Sequence, residues 1–342
     1  MLMEIKQKKL ILKPLYPILN LGLALLLLSC APVEKKQGIK IDGSSTVYPI
    51  TKVIADNYKS ENKDVVDMEV NFSGTTDGFQ KFCEGKTDIA NASRPIEQQE
   101  IELCNRNKIR FVELPIAFDA LTVVVNQANN WVQSLTVEEL RKMWEPSSEG
   151  KIKRWNQIKP DFPDQPLNLY GAGDKSGTFD YFTGAIVGTE RASRSDYVKT
   201  EDDEITVRGV EQDPNALGYF GFAYYKANQK KLKAVPIDGG KGAVPPAQET
   251  VENAQYQPLS RPLFIYVNLA AAQNNPDLKN FVEYYIKQAP SVVSQVGYIP
   301  LPGEGYHLAT VTWQKGEVGT VFEGKPQIGL TIGELLRKKA KF

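Results

Sequence analysis

Histidine occurs once in the 342 residues, at His307. A single imidazole leaves no pair for a zinc site and little support for a Ser–His or Cys–His catalytic pair. Cysteine occurs three times, at Cys30, Cys83 and Cys104, with no zinc-pair spacing. Neither sign of charge is in excess, with 41 Lys plus Arg and 41 Asp plus Glu. That balance argues against general nucleic-acid binding, which asks for a basic surplus. No internal repeat and no long low-complexity tract is present. What remains, 42% hydrophobic and 24% charged, is an ordinary globular composition, and the length fits about two domains.

The zero net charge averages two unlike parts. Lys6, Lys8, Lys9 and Lys13 make a basic start, and Leu15 to Leu28 is mostly apolar. That run is short of the roughly 20 residues of a spanning helix and has the form of an export signal. Leu27-Leu28-Ser29-Cys30 resembles a bacterial lipobox. The resemblance implies a lipoprotein signal peptide over residues 1–29, lipidation at Cys30 and a tether over residues 30–37. Loss of Glu4 and the four lysines leaves 37 basic and 40 acidic residues, a mature body near −3. Cys83 and Cys104 are then an even pair in an exported protein, a disulfide candidate whose alternative is two buried thiols.

Strand and helix patterns alternate along the body, which argues for α/β layers. Alternation over Val66–Phe72 reads as a strand, and Ile50, Val53, Ile54 and Tyr58 recur at helical spacing. Phe111–Val125 reads as two strands with a bend at Pro115. Thr136-Val137-Glu138-Glu139 is a capping-box pattern, with Leu135 and Leu140 placed as its staple. Leu278–Tyr285 reads as one late helix, and Val292–Gly297 as a second, short one after Pro290. The acidic run at 200–204 reads as a helix start.

Three strand-to-helix turns share a composition: Asp42-Gly43-Ser44-Ser45-Thr46, Ser73-Gly74-Thr75-Thr76 and Gly173-Asp174-Lys175-Ser176-Gly177-Thr178. Glycine permits sharp turns and close approach, helix starts leave N–H donors free, and Ser and Thr add hydroxyls. Taken singly, each Ser or Thr could merely cap its own helix. Three together point to one anion site with little fixed charge. None has the spacing of a nucleotide-binding phosphate loop. A fourth segment, Asp88–Pro95, places Arg94 just past a strand, where its guanidinium could reach the same anion.

The order and spacing of DGSSTVYPI (42–50), FCEGKTDIANASRPI (82–96), SGTFDYF (176–182), ALGYFGFAYY (216–225), PLFIYVN (262–268) and APSVVSQVGYIPL (289–301) carry a resemblance over nearly the whole mature chain. The chain resembles the periplasmic phosphate-binding protein of the bacterial phosphate ABC transporter, the PstS family, in its cyanobacterial-type branch. The resemblance implies a type II periplasmic binding protein: two α/β lobes, a ligand cleft between them and two crossover hinge segments. Lobe one is expected at 38–120 plus 266–342 and lobe two at 121–265. Ser45, Thr46, Ser73, Ser176, Gly177 and Thr178 fall on the family's phosphate contacts, and Arg94 is expected to supply the positive charge.

Two departures matter. The Arg that the family carries four residues before the Ser-Gly-Thr serine is Ala172 here. The Asp that accepts the phosphate proton is replaced by Ser93. Asp174, Asp180 or a backbone carbonyl are left as acceptors. The function implied is capture of inorganic phosphate outside the membrane and delivery to an ABC permease, by a lipid-anchored monomer without cofactor, metal or catalysis. The alternatives are another oxyanion, such as sulfate or molybdate, or an exported phosphatase or esterase using Ser45 or Ser176.

Overall fold

The computed structural model describes residues 38–62 and 67–341. The expected signal peptide, the lipidation site at Cys30 and the tether up to residue 37 lie outside the described residues, as does Val66. Among the described residues no helix is long and apolar enough to cross a membrane.

The chain first lays down β1 (Ile39–Gly43), β2 (Met68–Val70), β3 (Ile89–Ala92) and β4 (Phe111–Ala120). It then crosses at Leu121 into β5 (Thr122–Asn126). The second part adds β6 (Leu135–Thr136), β7 (Asn168–Ala172), β8 (Val198–Thr200), β9 (Ala216–Phe220), β10 (Leu232–Ala234), β11 (Ile237–Asp238) and β12 (Ala243–Val244). β13 (Ser260–Asn268) returns to the first sheet. The sheet orders are β2-β1-β3-β13-β4, β10-β5-β9-β7-β8 and a small β12-β11-β6. β1, β2 and β3 are parallel, as are β7, β8 and β9, so their C-terminal ends gather the turns that lead into helices. This is the two-lobed α/β fold, and ligands of such parallel sheets bind beyond those strand ends. Each sheet is covered by helices that bury apolar faces, such as Ile50, Ile54 and Tyr58 of the helix Tyr48–Glu61.

Both crossings run side by side. Leu121 N–H donates to Leu259 O at 2.8 Å, and β4 pairs antiparallel with β13 from Ala120↔Ser260 to Phe111↔Asn268. The whole of β13 lies in the first sheet, so the chain returns to that sheet after Leu259.

Two prolines behave differently from expectation. Pro115 does not bend the chain; it sits within β4, which runs unbroken to Ala120. β4 is an edge strand, and the register shifts beside Pro115, so the missing N–H is tolerated there. Pro290 does not end a helix either. One helix spans Pro276–Val296, and its buried face continues in phase through Ala289, Val292 and Val293. Packing of that face outweighs the local cost of the proline. The capping box at Thr136 forms in both directions, Glu139 N–H to Thr136 Oγ1 at 3.1 Å and Thr136 N–H to Glu139 Oε2 at 2.9 Å.

Cys83 ends the helix Thr75–Cys83, and Cys104 lies in the helix Gln98–Arg106; the two form a disulfide across 21 positions. Replacing both by Ser is expected to lower unfolding free energy by about 3 kcal/mol, from loop entropy alone. Urea titration of the oxidised wild type against the double variant measures this, and equal midpoints would refute it.

Candidate functional site

The first turn follows β1. Gly43 has φ +135°, and a Cβ there would lie 2.2 Å from Asn91 O, so the chain can pass this close to β3 only as glycine. Ser44 N–H then donates to Asn91 O at 2.9 Å. The helix that follows starts after Val47 with no side-chain cap. Ser45 and Thr46 therefore do not cap it. Thr46 is fully buried, and its Oγ1 is hydrogen-bonded to Thr178 Oγ1 at 3.1 Å, which belongs to the other lobe. Ser45 Oγ also reaches across, donating to Asp203 Oδ2 at 3.0 Å.

The second turn contributes a different residue from the one expected. Ser73 Oγ accepts from Lys81 Nζ at 3.1 Å, and Lys81 is ion-paired to Asp42, so Ser73 faces its own lobe's surface. Thr75, two positions on, is the hydroxyl that points inward. Thr75 Oγ1 and Ser93 Oγ are 3.2 Å apart, and both are fully buried.

The third turn closes over this pair. A Cβ on Gly177 would lie 2.5 Å from Thr75 Oγ1 and 2.7 Å from Ser93 Oγ. Only a residue without a side chain lets the second lobe's backbone come this near. Ser176 takes the local role weighed against ligand binding: its Oγ accepts from Thr178 N–H at 3.1 Å and caps its helix. Ser45, Thr46, Ser176, Gly177 and Thr178 are thus brought together, with Thr75 and Ser93 added and Ser73 left out.

Arg94, expected to supply the positive charge, is held by other groups in this structure. It is buried, but all five of its N–H donors are taken. Nε donates to Asp180 Oδ2 at 2.7 Å, Nη1 to Glu100 Oε2 and Pro95 O, and Nη2 to Glu100 Oε1 and Thr76 Oγ1. Four of these acceptors lie on acidic groups or a hydroxyl, and Glu97 stands within 3.1 Å as well. Burial alone would lower the Arg94 pKa, but Glu100, Asp180 and Glu97 outweigh it and raise it well above the usual value. Through these contacts Arg94 joins the two lobes.

The charge comes from Arg261, at the start of β13 and fully buried. Its Nη2 donates to Thr178 Oγ1 at 2.9 Å and to Thr46 Oγ1 at 3.3 Å, and its Nη1 to Gly177 O at 3.3 Å. The cross-strand neighbour Asp119 holds it, accepting at Oδ2 from Nε at 3.0 Å and Nη2 at 2.9 Å. Asp119 Oδ1 accepts from Phe222 N–H at 2.8 Å. The second lobe, which has Ala172 in place of an arginine, thus meets a guanidinium delivered from the crossing strand. No local motif marks Arg261. Its only signal in the sequence is its place just before the apolar run 262–268.

The acidic groups proposed as proton acceptors are otherwise engaged. Asp174 is exposed and paired with Lys199 at 3.0 Å. Asp180 is shared by Arg94 and Arg191. Asp203, at the first position of the helix Asp203–Gln212, is buried, and burial pushes its carboxyl up to about 7. His307 is exposed, on the helix Gly303–Lys315.

The arrangement is a group of buried hydroxyls from both lobes, Thr46 and Thr178 beside Arg261 and Thr75 and Ser93 against Gly177. It can hold a small tetrahedral anion by hydrogen bonds, with the Arg261 charge balanced by Asp119. Residues 31–289 match the PBP superfamily domain. The chain is 59% identical over 94% of its length to Protein SphX of Synechocystis, covering 96% of that protein. It is 34% identical over 84% of its length to the phosphate-binding protein PstS of Staphylococcus saprophyticus, covering 89% of it. Among solved structures it matches a possible phosphate binding protein from Planctomyces limnophilus with TM-score 0.62 and 38% identity, over 82% of this chain and 99% of that one. A putative phosphate ABC transporter substrate-binding protein from Clostridium perfringens, solved with bound phosphate, matches with TM-score 0.64 and 25% identity, over 78% and 100%. The chain therefore belongs to the periplasmic binding-protein superfamily and, within it, to the PstS family of phosphate-binding proteins.

Proposed function

We propose that this protein captures inorganic phosphate outside the cytoplasmic membrane and delivers it to an ABC permease. The observation that carries the reading is the convergence of Thr46, Thr75, Ser93 and Thr178 hydroxyls from both lobes beside the buried Arg261. Family membership supports the same ligand class and a binding role without catalysis. Ser45 and Gly177 complete the proposed ligand shell, and Ser176, expected in it, caps the helix that presents Gly177 and Thr178. Lobe one is taken as 38–120 plus the chain from β13 onward, lobe two as the segment between the crossings. The export signal and Cys30 support a lipid anchor on the outer side of the membrane, and the protein is taken as a monomer.

Isothermal titration tests the ligand. Phosphate is expected to bind tightly and sulfate weakly at neutral pH. Equal affinity for both would refute the assignment and favour a general oxyanion receptor, the second reading that a ring of donors supports.

A further inference from the structure

We propose that Asp203 is the group that accepts the ligand's proton, and thereby the residue that separates hydrogen phosphate from sulfate. The inference rests on the phosphate reading above and deepens it. A ring of hydroxyls and one guanidinium satisfies sulfate as well as phosphate, since both offer four oxygens as acceptors. Discrimination needs an acceptor that only a protonated anion can use.

Elimination narrows the choice among the acids whose contacts lead to the hydroxyls; Glu201, by contrast, is held at Gly173 and the Lys175 N–H. Near the cluster, Asp119 is filled by Arg261 and the Phe222 N–H. Asp180 receives Arg94, Arg191 and Thr76. Asp42 is bound by Lys81 and the Gly43 N–H. Asp203 has one hydrogen bond among the described residues, from Ser45 Oγ to Oδ2 at 3.0 Å. Its second oxygen keeps its lone pairs uncommitted.

Position points the same way. Asp203 stands in lobe two but touches the turn of lobe one that carries Ser45 and Thr46, and Thr46 in turn is bonded to Thr178 and Arg261. The groups facing it are Arg261 from β13, Asp119 from β4, Tyr224 from the helix Phe222–Asn228, Tyr298 beyond the long helix, and Asp202 next to it in the chain. Arg261 favours its ionised form, while Asp119 and Asp202 oppose it. Tyr224 Oη is committed to Ser45 O at 3.0 Å. Tyr298 Oη is buried without a partner among the described residues, beside Gly221 and the Thr46 methyl group. Both tyrosines are kept neutral by burial, so neither competes as an anion. The chemistry follows from the charge state. Ionised Asp203 accepts the O–H of hydrogen phosphate and repels sulfate; neutral Asp203 donates to sulfate instead.

The test compares phosphate and sulfate affinities of the wild type and Asp203→Asn by titration calorimetry. Asn replaces an acceptor oxygen by a donor NH₂ at the same volume. The phosphate-to-sulfate affinity ratio is expected to fall at least about tenfold, chiefly through tighter sulfate binding. An unchanged ratio in a folded variant overturns the proposal. The wild type supplies an independent arm, since sulfate does not titrate near neutral pH. With Asp203 titrating near 7, its sulfate affinity is expected to rise about tenfold from pH 8 to pH 6. A flat wild-type sulfate profile also overturns the proposal, whether or not Asp203→Asn folds. A wild type that prefers neither anion overturns the phosphate reading itself. A selective wild type with an equally selective Asp203→Asn overturns only the role of Asp203.

Discussion

Replacing Arg261 by Ala is expected to weaken phosphate binding at least about 100-fold and to lower stability by about 3–5 kcal/mol. Two separate effects are combined in this one residue. The guanidinium is the positive charge nearest the hydroxyl ring, donating to Thr178 Oγ1 and Thr46 Oγ1. It is also the ion-pair partner of Asp119, and both side chains are completely buried. Removing it strands an uncompensated carboxylate in the interior, whose pKa burial already pushes up. The two effects can be separated. The double variant Arg261→Met, Asp119→Leu replaces the pair by apolar side chains and is expected to recover most of the stability without recovering binding. Denaturant unfolding and titration calorimetry on the three proteins check this. Binding of Arg261→Ala within a factor of three of the wild type would refute the site as drawn.

Arg94→Ala is expected to give the opposite pattern. Stability should fall by about 3–5 kcal/mol, because Asp180 and Glu100 lose a buried partner. Phosphate and sulfate affinities should fall together by a similar factor, leaving their ratio unchanged. The reason is that Arg94 joins lobe one to Asp180 of lobe two, and Arg191 of lobe two reaches back to Glu97 at 2.9 Å. Loss of this link disfavours the form in which the hydroxyls converge, and disfavours it equally for any ligand that needs that form. Thermal unfolding together with the two affinities measures it. Complete loss of phosphate binding with an unchanged melting temperature would return Arg94 to the ligand shell, where the sequence alone placed it.

The contrast between the two arginines shows what was legible beforehand. The α/β class followed from alternating periodicities, and the three turns followed from Gly, Ser and Thr clusters at strand ends. Thr46, Gly177 and Thr178, which the structure brings together, lie in these turns because local chemistry determines them. Ser73 and Thr75 could not be told apart, since which of two neighbouring hydroxyls faces inward depends on the helix phase from Thr75 and on Lys81 capturing Ser73. Arg261 was illegible for a stronger reason. It lies more than 80 positions from Thr178 and reaches it only because β13 pairs with β4 in a register that sets Arg261 opposite Asp119. Conversely, Arg94 had the right address but too many acidic neighbours, and Glu97 and Glu100 were visible in the sequence three and six residues on. Pro115 and Pro290 fall in the same class, because an edge strand and a buried helix face override a local preference.

The pairing of β4 with β13 bears on how the lobes can move. Two independent linkers would act as loose joints and let the halves wander through many relative orientations. Here the two connections are tied to each other where they cross, by the Leu121 N–H to Leu259 O bond, and continue directly into the β4–β13 pairing of the first sheet. A ribbon tied in this way flexes across its face far more readily than within its plane. Any opening of the lobes is then expected to follow a single arc, like a book on its spine. Such an arc would bring the facing hydroxyls back to the same spacing, so less alignment entropy is lost when an anion binds.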